Sequence, residues 1–106
     1  MEILSGPYTG LTVNLHPKSR APCFIGRSTG KKFRDRGISL PSDQELSTTH
    51  GKFESKRGKI YFTDMGSTNG TFVNGEQLSP GKDLKLDDGT VIDVGLSRLE
   101  ISLIYR

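Results

Sequence analysis

Apolar residues in this chain recur at two-residue intervals, and no window follows the 3.6-residue period of an amphipathic helix. Leu11, Val13 and Leu15 alternate with Thr12 and Asn14. Ile38 and Leu40 flank Ser39, and Ile101, Leu103 and Tyr105 alternate with Ser102 and Ile104. Denser runs, Cys23-Phe24-Ile25 and Ile60-Tyr61-Phe62, carry the β-branched and aromatic residues that suit a packed, pleated surface. Further strands are predicted over residues 1–4, 49–55, 59–63, 71–73, 84–86 and 91–94. Turn formers separate them: Ser5-Gly6-Pro7, Pro41-Ser42-Asp43, Lys56-Arg57-Gly58, Ser79-Pro80-Gly81 and Asp87-Asp88-Gly89. His16 to Arg20 reads as a loop, and so do residues 28–37, which are polar, basic and aperiodic. About ten short strands in a chain of this length predict an all-β fold, a twisted antiparallel β-sandwich, with residues 1–106 as one domain.

One stretch is denser in turn signals than the rest, Asp64-Met65-Gly66-Ser67-Thr68-Asn69-Gly70-Thr71-Phe72-Val73-Asn74-Gly75. Its two Asn-Gly pairs each predict a tight turn of the kind that needs positive φ at both central residues. Thr71-Phe72-Val73 between them suits a strand. The stretch reads as a rigid polar loop held on a β scaffold.

Charge changes the picture more than composition does. Residues 1–63 hold 11 Lys/Arg against 5 Asp/Glu, whereas residues 64–106 hold 4 against 7. The densest positive run is Arg27 to Arg36, with Lys31, Lys32 and Arg34 inside it, which suits a solvated loop or an anion-binding surface. The single cysteine, Cys23, excludes a disulfide framework and reads as a buried thiol in a reducing, intracellular compartment. No apolar run approaches membrane-spanning length and no signal peptide is visible, so no membrane role is expected.

Catalytic constellations are missing from the sequence. His16 and His50 are the only histidines, Asp87-Asp88 is turn chemistry, and no Gly-x-Ser-x-Gly elbow is present. Gly26-Arg27-Ser28-Thr29-Gly30-Lys31-Lys32 has three residues between its glycines where a phosphate-binding P-loop has four, and Lys32 stands where that motif needs a hydroxyl. Neither an enzyme nor a cofactor or metal is expected. A nucleic-acid binder would need an exposed stacking row, whereas Phe53, Tyr61 and Phe62 sit on predicted strands as core.

What remains is a set of anion-friendly groups at predicted loop positions: Arg27, Ser47, Thr48, Ser67, Thr68 and Asn69. In a sandwich, loops distant in sequence gather at one end. A guanidinium with hydroxyls and free N–H groups suits a phosphate.

Gly26-Arg27, Leu46-Ser47-Thr48-Thr49-His50 and the 64–75 stretch resemble, in order and spacing, the Gly-Arg, Ser-x-x-His and Asn-Gly motifs of the forkhead-associated (FHA) domain. Ser5-Gly6-Pro7 with Gly10, and Leu86 to Gly95, extend the resemblance over essentially the whole chain. The resemblance implies an eleven-stranded sandwich that binds phosphothreonine in a partner protein without catalysis, as part of a larger protein, in the nucleus or cytoplasm with the nucleus favoured. Arg27 and Ser47 would contact the phosphate, with Thr48 beside them where many members carry a longer polar residue. Thr68 would support the phosphothreonine pocket, and Asn69 would hydrogen-bond the peptide main chain. Gly26 would let the backbone bend to aim Arg27, and Gly70 would permit the turn that aims Asn69. His50 would tie the Ser47 loop to residues 66–69, and Lys31, Lys32 or Arg34 would supply auxiliary charge.

Overall fold

A computed structural model describes residues 1–18 and 21–103. The period-2 pattern is realised as β1 (Glu2–Ser5), β2 (Cys23–Gly26), β3 (Ile38–Ser39), β4 (Gly51–Lys56), β5 (Lys59–Asp64), β6 (Thr71–Val73), β7 (Glu76–Gln77), β8 (Asp83–Lys85), β9 (Val91–Val94) and β10 (Ser97–Glu100). Two five-stranded sheets face each other, in the orders β1-β10-β9-β6-β7 and β3-β2-β4-β5-β8. All pairings are antiparallel except β2 with β3, which run parallel. The described residues thus form a β-sandwich of ten strands.

Alternation along each strand sends one set of side chains between the sheets. Ile3, Ile25, Leu40, Leu46, Phe53, Phe62, Leu86, Ile92, Val94 and Leu99 form the core together with the Cys23 thiol. Phe53 and Phe62 are opposite one another on β4 and β5, and their rings meet edge-on at 5.0 Å. Each such side chain contributes about 1.5–3 kcal/mol by leaving water. Burial pushes the Cys23 thiol pKa up, which keeps it protonated and inert.

Several local expectations differ from the fold. Residues 28–37 contain a short helix, α1 (Lys31–Arg34), not only loop. Its Phe33 is buried and packs on Phe24 at 5.9 Å between ring centroids. Phe24 faces away from Cys23 and Ile25, so α1 lies on the outer face of its sheet. A single aromatic anchor leaves no periodic trace in so short a helix. Residues 11–15 make no strand, only an isolated bridge from Thr12 to Glu2. The final strand is β10, which ends at Glu100, with Ile101 buried just beyond it. The expected alternation reaches Ile104 and Tyr105, which lie outside the described residues, as do Ser19 and Arg20 of the expected 16–20 loop.

Strand register decides which loops meet. Ile25 pairs with Gly51, Gly51 with Asp64, and Thr71 with Val94. The segments after β2, before β4, between β5 and β6, and between β9 and β10 therefore emerge at one end of the sandwich.

Candidate functional site

Three of these segments are tied to one another through their backbones. Arg27 N–H donates to Ser47 O at 3.1 Å, and Ser28 N–H to Thr48 O at 3.2 Å. Gly26 sits where this approach is tightest, since a Cβ there would lie 2.0 Å from Thr48 O. Its role is therefore space rather than the bend expected from the sequence, because its φ is not in the left-handed region. Arg27 folds back so that Nε donates to Leu46 O at 2.5 Å. That bond fixes the guanidinium plane while its two terminal nitrogens hold no hydrogen bond among the described residues.

Ser47 links the second segment to the third. Its Oγ accepts from Thr68 N–H at 2.9 Å, so the hydroxyl proton stays available to an acceptor outside. Asn69 Nδ2 donates to Glu45 O at 2.9 Å and to Glu45 Oε2 at 3.0 Å. Thr48, Thr68 and Asn69 are exposed, and Ser47 is half-buried. Arg27, Ser47, Thr68 and Asn69 thus share one surface. Lys31, Lys32 and Arg34 are exposed on α1, with Lys32 Nζ 5.6 Å from the centre of the Phe24 ring. No hydrogen bond or ion pair joins their side chains to Ser47, Thr68 or Asn69 among the described residues.

His50 lies beneath this surface and is fully buried. Its Nδ1 accepts from Ser47 N–H at 3.2 Å, which fixes the proton on Nε2. Nε2–H then points to Gly70 O and Thr71 Oγ1, both at 3.1 Å. The imidazole therefore ties the Ser47 segment to the start of β6. Burial holds its pKa below the ordinary value, and the nearby Asp64 charge only partly offsets this. The 3.8 Å approach of Nε2 to Asp64 Oδ2 is accordingly not an ion pair at neutral pH.

Two carboxylates that the sequence reading passed over organise the loops. Asp64 ends β5 fully buried, and accepts from Gly66 N–H, Ser67 N–H, Ser67 Oγ and Thr71 Oγ1 at 2.5–2.9 Å. Burial alone would raise its carboxyl pKa, but these bonds together hold it below the usual value. Asp43, also fully buried, accepts from Glu45 N–H, Leu96 N–H and Ser97 Oγ, and so clamps the second segment to the β9–β10 turn. The available signal was an Asp two residues ahead of the N–H it binds, the ordinary Asx-turn arrangement.

The two Asn-Gly turns differ. Asn74 and Gly75 have φ of 53° and 80°, the expected hairpin geometry, joining β6 to β7. At 69–70 only Gly70 has positive φ, 83°, which corrects the expectation of the same turn there. Asn69 instead takes its position from Glu45, and Gly70 from the His50 bond to its carbonyl.

Among the described residues no group of three His, Cys, Asp or Glu side chains could hold a metal ion, and no helix is long and apolar enough to cross a membrane.

A family model described as the FHA domain matches residues 23–95. An FHA domain-containing protein of Arabidopsis thaliana is 33% identical over 92 residues, covering 87% of this chain and 22% of its own length. The FHA domain-containing protein FhaB of Mycobacterium tuberculosis is 26% identical over 99 residues, covering 93% of this chain and 57% of its own length. The chain therefore spans less than two thirds of the relatives it matches. Among solved structures, the FHA domain of an Arabidopsis thaliana hypothetical protein superposes with a TM-score of 0.84 at 29% identity, covering 99% of this chain and 84% of that one. An FHA domain structure described in terms of phosphothreonine-dependent interactions superposes at 0.74 with 26% identity, covering 98% of this chain and 96% of that one.

Proposed function

This chain belongs to the FHA domain family, whose members are non-catalytic interaction modules, and from that premise we propose that it docks phosphothreonine-containing partners through the loops at one end of its sandwich. Residues 1–106 act as one phosphopeptide-binding unit of a larger protein. The ligand is a product of protein kinases, which suits an intracellular setting, nuclear or cytoplasmic. The carrying observation is that two segments bonded to each other through Arg27 N–H and Ser47 O each keep donors unspent: the terminal nitrogens of Arg27, and the Ser47 hydroxyl whose acceptor side is already taken by Thr68 N–H.

A phosphothreonine brings about −1.5 to −2 charge and three acceptor oxygens. Arg27 supplies a charge-assisted pair of donors, with its guanidinium plane set in advance by the Leu46 carbonyl. Ser47 donates its hydroxyl proton to a second oxygen. Thr48 adds a neutral hydroxyl at the rim, and Thr68 walls the pocket. Asn69 meets the peptide main chain beside the phosphorylated residue, and Gly26, His50 and Gly70 hold these groups in place. Lys31, Lys32 and Arg34 add long-range attraction only, screened beyond about 8–10 Å at physiological salt.

Titration calorimetry against a phosphothreonine peptide library, its unphosphorylated twins and phosphoserine twins tests the reading. Arg27→Ala removes the charged contact, worth about 1.5–3 kcal/mol, and should weaken phosphopeptide binding by at least tenfold, with the fold retained and a modest drop in melting temperature from the lost bond to the Leu46 carbonyl. Equal binding of phosphorylated and unphosphorylated peptides would refute the proposal.

A further inference from the structure

We infer that Glu45 makes this site selective for phosphothreonine peptides carrying a basic side chain close to the phosphorylated residue, and poorly receptive to those carrying an acidic one there. The inference rests on the reading above that the ligand's main chain crosses Asn69.

An Asn carboxamide has two N–H donors and one carbonyl acceptor. Both donors of Asn69 face Glu45, one its backbone carbonyl at 2.9 Å and the other its carboxylate at 3.0 Å. In the free protein, Asn69 therefore offers a peptide only its carbonyl oxygen. The bond to the backbone carbonyl is permanent scaffold, because Glu45 N–H is itself held by buried Asp43. The bond to the carboxylate can be exchanged, because Glu45 is exposed and its carboxylate is reached by solvent and by a ligand.

Glu45 is thus an internal competitor for the donor that the peptide needs. A Lys or Arg side chain on the peptide draws the carboxylate toward itself and releases the Asn69 N–H, so the two contacts reinforce each other. An uncharged neighbour leaves the competitor in place. An acidic neighbour meets like charge at Glu45, which forms no ion pair among the described residues, while Arg27 is engaged with the phosphate. The basic run on α1 pulls the other way, but it touches neither Asn69 nor Glu45 among the described residues. Hydrogen-bond contact outweighs a screened distant charge.

The test measures wild type and Glu45→Gln against phosphothreonine peptides with Arg, Ala or Asp placed in turn at each of three positions on either side of the phosphothreonine. Gln keeps an oxygen for Asn69 to bind but removes the charge, and thermal melting confirms that it folds. Glu45→Ala, which removes both, serves as the second variant. At the responsive position, wild type should favour Arg over Asp by about tenfold, and Glu45→Gln should shrink that ratio to about twofold. Glu45→Ala should also bind the Ala peptide at least as tightly as wild type does. An Arg-to-Asp ratio equal in wild type and Glu45→Gln, with phosphate-dependent binding intact, would overturn the role of Glu45 alone. Failure of wild type to distinguish phosphorylated from unphosphorylated peptides would remove the underlying reading, and the inference with it.

Discussion

The same dipeptide, Asn-Gly, occurs twice within seven residues and does two different jobs. At 74–75 it is self-sufficient: both residues take the left-handed conformation and the hairpin closes β6 onto β7 by local geometry. At 69–70 only the glycine is left-handed, and the turn is held from outside. Glu45 fixes the Asn69 side chain, His50 takes the Gly70 carbonyl, and Asp64 gathers Gly66, Ser67 and Thr71 around itself. A turn that must only reverse the chain can be written in two residues. A turn that must present side chains at fixed positions draws on partners beyond its own two residues, here a buried carboxylate at the end of the preceding strand and groups from a distant segment.

Removing the carboxylate of Asp64 should break the comparison most severely. Asp64→Ala leaves the hydroxyls of Ser67 and Thr71 and two backbone N–H groups without their acceptor at a buried point. The expected destabilisation is about 3–5 kcal/mol in urea unfolding, the range for stripping one partner from a buried charged network. Amide exchange should accelerate first over residues 65–71, with the 74–75 hairpin protected until global unfolding. Equal acceleration at both turns would show that they are one unit.

That asymmetry also explains what could be seen from the sequence. Sheet architecture follows from alternation, so strands such as β4 and β5, with Phe53 and Phe62 inward, were legible to within two residues at their ends. The hairpin at 74–75 was legible because its cause is local. The residues proposed for the site, Arg27, Ser47, Thr68 and Asn69, stood out only through their ordered spacing, since each alone is an ordinary loop residue. Asp43 and Glu45 escaped notice because they bind groups from other segments, and pairing across 53 residues, as between Asp43 and Leu96, has no linear signature. Asp64 binds within its own loop, at Gly66, Ser67 and Thr71, and there an Asx-turn signal was present but passed over. The short helix α1 escaped for a related reason, as its one buried side chain, Phe33, is anchored by Phe24 nine positions earlier.

A pair of glycine substitutions sharpens the contrast at smaller cost. Gly70→Ala and Gly75→Ala both force a side chain into the left-handed region, at φ of 83° and 80°, which costs about 1–2 kcal/mol in each case. The surroundings differ. A Cβ at Gly75 enters open space, whereas at Gly70 it meets the end of the Gln77 side chain at 2.7 Å. Both variants should lose similar stability by chemical denaturation, with Gly70→Ala slightly worse. Only Gly70→Ala should weaken phosphopeptide binding, because only there is the carbonyl needed by His50 displaced. A binding defect in Gly75→Ala of the same size would erase the distinction between the two turns.

Acid should separate the turns most gently. His50 has a lowered pKa in the folded protein, so below the ordinary imidazole value of 6.5 the unfolded chain binds the proton more readily. Its contribution is complete above pH 6.5 and declines as pH falls toward the folded value, by at most about 1.4 kcal/mol per pH unit for one proton. Asp64 acts lower: its folded pKa lies below the ordinary 3.8, so its contribution is present above 3.8 and disappears as pH falls through the folded value. The two windows follow in sequence, histidine first. Protonation of Nδ1 expels the Ser47 N–H, and the Ser47 segment lets go of the Gly70 carbonyl through the same ring. Amide resonances of Ser47, Gly70 and Thr71 should therefore shift together as His50 takes up its proton below pH 6.5, while those of Asn74 and Gly75 stay still. A His50→Gln chain should abolish that first step and keep the second. Movement of Asn74 and Gly75 in the first step would mean that the hairpin, too, is held through the buried ring, contrary to its local geometry.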